Sequence, residues 1–368
     1  MPDDISRDEL PDDRSAAERS EPKGPEALER EIMGEGPGSA GAGPDGDFIP
    51  QFPGAMPAGD SGAEHGRSET APSRTPKSSR TLWGDAWFRL RRNRMALAAL
   101  TWILIIALAA VTADLWVLPL YGSPTAIDTS TAMHQRLQGP SVKHPMGTDD
   151  LGRDMFARIV YGARVSLTVG LVAVIISVVI GLFLGALAGY YGRWGDAVIM
   201  RVTDIFLAFP YILFSILVLS ILPQSYRGIW PVILVIGLLG WTSFARVFRS
   251  SILTVKENDY VDAARALGAS DGRIMFRHIM PNAIAPIIVY ATISIGGAIL
   301  TESALSFLGL GVQPPTPSWG AMIDAGKNFL TSNPGLVFWP GMAIVSTVVA
   351  FTLLGDGVRD ALDVKMTE

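Results

Sequence analysis

The chain has no cysteine among its 368 residues and only four histidines. Disulfides, thiolate metal centres and cysteine-linked lipid anchors are therefore excluded. His65, His134, His144 and His278 are scattered along the chain. His134 and His144 share one loop, which allows a weak metal contact but supplies no ligand set. No Ser-His-Asp set, HExxH pattern or Walker-type phosphate loop is present, so the chain is not expected to be an enzyme or to bind a cofactor.

Charge is missing from long stretches as well. Residues 95–113, 165–188, 205–222, 228–245, 281–301 and 328–355 contain no Asp, Glu, Lys or Arg. At a rise of about 1.5 Å per residue, roughly 20 residues cross a hydrocarbon layer of ~30 Å. The expected fold is an all-α membrane protein of six spans, near 95–115, 165–188, 203–222, 228–247, 282–303 and 336–355. The third and fourth runs are short enough to form one buried re-entrant pair instead.

The charge that is present is segregated. The net charge of −5 arises in residues 1–80, which hold 17 acidic and 9 basic side chains. This tail is rich in Gly, Pro, Ser, Asp and Glu and has no apolar run of signal-peptide type. It cannot bury enough surface to offset chain entropy, so a disordered cytoplasmic tail is expected, with at most a short helix at 25–33. Residues 81–94 mix aromatics with arginines, which places Trp83, Trp87 and Phe88 at headgroup level.

Beyond position 80, fourteen basic residues lie in four segments. They precede the first span (Arg89, Arg91, Arg92, Arg94), separate spans two and three, follow span four and close the chain, whereas the opposite side holds seven. The positive-inside rule then puts both termini, and the segment between spans four and five, in the cytoplasm.

Three features go beyond simple anchoring. Gly181, Gly185 and Gly189 recur every four residues on one face of span two, which permits close helix approach. Pro210, Pro231, Pro286 and Pro340 are expected to kink their spans. Ionisable side chains near membrane depth, Asp204 and Glu302, are the residues an ion-coupled secondary transporter would use. The structural alternative pairs Asp204 with Arg201 or a helix cap, and sets Glu302 beside water at the outer boundary.

The loop after span one contains Pro-Met-Gly-Thr-Asp-Asp-Leu-Gly-Arg-Asp (145–154), dense enough in Gly and Asp for a structured turn. Asp149, Asp150 and Asp154 lack EF-hand spacing, so calcium is not expected there. After span five, the Gly- and Pro-rich run 306–317 cannot continue as a helix and is expected to fold back as a loop.

The most informative stretch is 256–281, a polar, charge-rich insert between two apolar spans. Asp262 to Leu267, with Ala263, Ala264 and Arg265 inside it, is short and Ala-rich, a good helix former. Gly268 can end that helix in a left-handed conformation. Ser270 is positioned to cap a second helix that Ile274, Phe276 and Ile279 would anchor, and Pro281 would begin span five. Small alanines permit close contact with a partner cleft, and Asp262 and Arg265 can orient it.

This insert resembles the EAA loop of ABC-importer permeases, with Asp262 where Glu is common. Gly147–Asp154, Tyr161–Leu167, Ala208-Phe209-Pro210, Leu305–Gly320 and Leu354–Asp363 are similar to the dipeptide, oligopeptide and nickel permeases, of the C-type with a long loop after span one. The resemblance covers about 82–368 and implies a type I importer in the prokaryotic plasma membrane. Its expected partners are a second homologous permease, two ABC ATPases that hold ATP and Mg, an extracytoplasmic solute-binding protein and membrane lipid, with no nucleic acid. In such permeases the loop docks into a cleft on the ATPase. The implied solutes are peptides, with nickel complexes, opines or glutathione-like molecules as alternatives.

Overall fold

Of the six charge-free runs, five have most of their length in one long helix each, and the remaining one is broken near its start. The computed structural model describes residues 82–126 and 132–363. The tail 1–80, with the helix expected at 25–33, lies outside the described residues, as does the side chain of Trp83. The described residues are helical apart from connecting segments and one antiparallel bridge between Thr148 and Asp154.

The order begins with α1 (Leu82–Arg92), α2 (Arg94–Val111) and α3 (Ala113–Tyr121). It continues through α4 (Met155–Tyr191), α5 (Arg193–Ala208), α6 (Tyr211–Ile221) and α7 (Ile229–Lys256). After α8 (Asp259–Ala266) come α9 (Ala285–Phe307), α10 (Trp319–Gly326) and α11 (Gly335–Leu362). Helices α2, α4, α7, α9 and α11 are each long and apolar enough to span a membrane. The third expected span is instead the pair α5 and α6, bent by 82°. Pro210 stands between them and cannot donate to a continuing helix, and its ring bars α-conformation at Phe209, which is extended (φ −90°, ψ 134°).

The other prolines differ in effect. Pro340 lies inside α11. Pro231 and Pro286 are not kinks: each sits in the first turn of its helix, where a missing N–H has no intrahelical partner to lose. Pro286 also explains why the fifth span restarts at Ala285 rather than at Pro281, which belongs to a separate short helix, Met280–Ala283.

The core is centred on α4 and α7, the most extensive helix pair. A Cβ built at Gly181 would lie 2.4 Å from Cβ of Phe244, and one at Gly185 would lie 2.7 Å from the Ala245 carbonyl oxygen. A Cβ at Gly189 would lie 3.0 Å from Ile252. The four-residue glycine stripe therefore does what its spacing predicts, seating one backbone against the other. Phe244, Phe248 and Ile252 fill the seam and are at most 2% exposed.

Candidate functional site

The insert between α7 and α9 has a buried footing and an exposed tip. Val261 and Ile274, 0% and 1% exposed, join the core with Ile279 and Met275. Residues 274–279 form a π-helical turn. Tyr190, near the end of α4, donates its hydroxyl to Asp271 (2.7 Å), and Lys256 donates to the Tyr190 carbonyl (2.7 Å). The insert is thereby tied to the ends of both central helices.

At the tip, α8 ends as its residues predict. Gly268 has φ +78°, its N–H bonds the Arg265 carbonyl (3.0 Å), and the Ala269 N–H bonds the Ala264 carbonyl (3.1 Å). That paired arrangement is a Schellman cap, which favours glycine at the left-handed position. Space around a Cβ at Gly268 is open, so backbone conformation rather than crowding selects the residue. Asp262 and Arg265 form an exposed ion pair with each other at 2.8 Å. Ala263 is exposed, whereas Ala264 packs partly against the core.

Two expectations for this segment are corrected. Ser270 occupies the N-cap position, but its hydroxyl makes no capping bond. Phe276 does not anchor the segment; it is 72% exposed. Residues two apart on a helix face opposite ways, so a buried Ile274 turns Phe276 outward. Leu267, 88% exposed beside Gly268, was not singled out from sequence. The signal that could have found it is a large apolar residue at a helix C-cap, next to the glycine that terminates the helix.

The bend between α5 and α6 opens a cavity of about 320 Å³ against α4, α7 and α9. Phe206, Phe209, Tyr211 and Tyr290 supply aromatic walls, and Ser243 and Thr301 supply hydroxyls. Among the described residues no acidic or basic side chain lines it.

Neither Asp204 nor Glu302 borders this cavity. Asp204 pairs with Arg246 of α7 at 2.8 Å, not with Arg201, and both side chains are more than half exposed. The reach comes from α5 lying along α7, which brings residues 42 apart in sequence together. Glu302 is fully buried instead of beside water. It accepts hydrogen bonds from Ser166 of α4 (3.0 Å) and from Ser306 (2.7 Å). α10 covers it: a Cβ at Gly320 would lie 2.2 Å from the Ser303 carbonyl oxygen, and Trp319 donates to the Ile159 carbonyl (3.0 Å).

On the far side of the bundle, the 145–154 turn is internally satisfied. Asp149 accepts from the N–H groups of Leu151 (2.9 Å) and Arg153 (2.8 Å) and pairs with the Arg153 guanidinium (2.7 Å). Asp154 caps α4 through the Ala157 N–H (2.7 Å) and bonds His144 (2.8 Å). The run 306–317 leaves α9 through a second left-handed glycine, Gly309 (φ +75°), and ends at Ser318, whose hydroxyl caps α10.

Comparison with known proteins identifies the family. Residues 178–368 match the family described as "binding-protein-dependent transport system inner membrane component". Residues 81–140 match the "N-terminal TM domain of oligopeptide transport permease C". The dipeptide transport system permease protein DppC of Alkalihalophilus pseudofirmus is 45% identical over 284 residues, 77% of this chain and 90% of that protein. The glutathione transport system permease protein GsiD of Pectobacterium atrosepticum is 41% identical over 81% of this chain and 96% of its own. A solved inward-facing MetNI methionine ABC transporter aligns with a TM-score of 0.48 at 19% identity, covering 57% of this chain and 98% of that one. The chain belongs to the inner-membrane permease components of binding-protein-dependent ABC importers.

Proposed function

We propose that this chain carries peptides or closely related small solutes, and that residues 256–281 transmit ATP-driven motion to it. The observation that carries the coupling role is the tip of that segment. A footing tied to α4 and α7 presents Leu267 and Phe276, 88% and 72% exposed, beside the small Ala263 and the left-handed Gly268. Exposed large apolar side chains on a rigid polar insert suit a protein partner. In this reading two ATPase subunits hold ATP and Mg, a second homologous permease completes the pathway, and an extracytoplasmic binding protein delivers the solute. The chain itself performs no bond chemistry. Both termini and the 256–281 insert face the cytoplasm, as the basic residues at 89–94 and 246–277 support.

ATP binding closes the ATPases and draws the docked segments together, the bundles rock about the pathway, and hydrolysis resets them. The uncharged cavity at the α5–α6 bend belongs to this chain's half of that pathway. Relatives named for dipeptide and for glutathione transport support a peptide-like solute, with nickel complexes and opines as the competing cargo. Ion coupling through Asp204 or Glu302 is less well supported, because each is engaged in bonds away from the cavity.

The test is mass spectrometry of proteins co-purified from gently solubilised native membranes with wild type and Gly268→Asp. A second permease and Walker-containing ATPases should accompany wild type, and the ATPases should be lost from the variant. A chain that purifies alone in both cases, under conditions that preserve a known membrane complex, would overturn the coupling role.

A further inference from the structure

Three arginines crowd the junction where α1 stops and α2 begins. Asn93 creates the junction by accepting from the Met95 and Ala96 N–H groups, each at 3.1 Å, so that α2 starts afresh. Arg91, Arg92 and Arg94 are all exposed, and among the described residues none pairs with a carboxylate. Arg91 lies over the Trp87 ring at 4.8 Å, and Arg92 over the Phe88 ring at 5.8 Å. Arg89, in contrast, donates to the Asp363 carbonyl (2.9 Å) and belongs to the fold.

One of the three, Arg94, sits at one end of an apolar strip, with Arg92 and Arg91 two and three residues before it in the chain. Arg94, Leu97, Ala98, Thr101, Trp102 and Ile105 follow the three- and four-residue spacing of one helix face. They line a shallow groove of about 450 Å³ along α2. The opposite face of α2 is closed: Ala96 is fully buried, and a Cβ at Gly357 of α11 would lie 2.2 Å from Cβ of Ala96. The Thr101 hydroxyl bonds the Leu97 carbonyl (2.8 Å), so Thr101 asks no hydrogen bond of an occupant.

We propose that this junction is a binding site for an anionic phospholipid. The headgroup phosphate lies among Arg91, Arg92 and Arg94, and one acyl chain follows the groove past Leu97 and Trp102. A soluble anion would use the arginines and leave the groove open to lipid. A zwitterionic lipid would fill the groove but place its own cation beside three guanidinium groups. Only a lipid of net negative headgroup satisfies both halves, and Trp87 and Phe88 sit where aromatic side chains mark headgroup depth. The proposal rests on the chain spanning a membrane and is independent of the solute and of the coupling segment.

Native mass spectrometry of the detergent-purified full chain tests it, with palmitoyl-oleoyl phosphatidylglycerol and the matching phosphatidylcholine added at equal concentration. Wild type should retain phosphatidylglycerol in preference. Arg91→Gln/Arg92→Gln/Arg94→Gln should weaken that retention by roughly tenfold or more, with phosphatidylcholine unaffected and the elution profile unchanged. If the triple variant does not purify, Arg91→Gln and Arg92→Gln singly should each show a smaller loss of the same sign. Ala98→Trp, which fills the groove, should weaken both lipids. Equal retention of the two lipids by wild type, or a phosphatidylglycerol preference that survives removal of the arginines, overturns the proposal.

Discussion

The segment between α7 and α9 and the turn that precedes α4 are both polar, Gly-containing and rich in charge, yet they are built oppositely. In the 145–154 turn, Asp149 is 6% exposed and Asp154 is 4% exposed, and backbone N–H groups, arginines or His144 use their oxygens. In the 256–281 segment the charged pair Asp262–Arg265 and the large side chains Leu267 and Phe276 face outward. A turn that satisfies its own polar groups is a structural closure. A turn that buries only its footing leaves its tip for another molecule. Similar composition thus produces a lock in one place and a contact surface in the other.

The largest effect that would sharpen this comparison is expected from Asp149→Ala. It leaves the buried Arg153 guanidinium without its carboxylate and removes the anion beside Arg158, which among the described residues keeps only the Pro124 carbonyl as acceptor, and breaking a buried pair from one side costs about 3–5 kcal/mol. The midpoint of unfolding in mild detergent should fall accordingly. A midpoint within experimental error of wild type would show that the turn is not a lock.

Ile279→Ala comes next. Ile279 is fully buried in the footing, and truncating such a side chain costs roughly 2–4 kcal/mol. Both stability and ATPase retention should drop. Phe276→Ala is the smallest in stability, within about 0.5 kcal/mol, as for exposed positions generally, but ATPase retention in the same purification should still fall. If Phe276→Ala and wild type retain the ATPases equally, the exposed tip is not the contact, and the contrast between the two turns loses its functional meaning.

Much of the fold could be read from residue order. Charge-free runs of span length, the Gly181–Gly185–Gly189 stripe and the left-handed Gly268 each follow from a local rule: hydropathy, helical spacing and the steric freedom of glycine. Sequence could not show which polar groups are buried. Glu302 looked like an outer-boundary residue because it closes an apolar run; α10, which begins 17 residues later, folds back to cover it. Asp204 found Arg246 rather than its near neighbour Arg201 because α5 lies beside α7. Phe276 faces outward because angular position on the helix, not hydrophobicity, decides which side a residue takes.

Local chemistry by itself determined where the chain is apolar enough to enter a membrane, where helices stop, and which segment is a polar insert. These are properties of a residue and its near neighbours. Only the tertiary structure decided the 82° angle taken at the Pro210 break and the uncharged cavity beside it, the sealing of Glu302 by serines, and the exposure of Leu267 and Phe276. Each of those depends on which distant element arrives at the same place, and that is settled by packing between helices rather than by the propensity of any one of them.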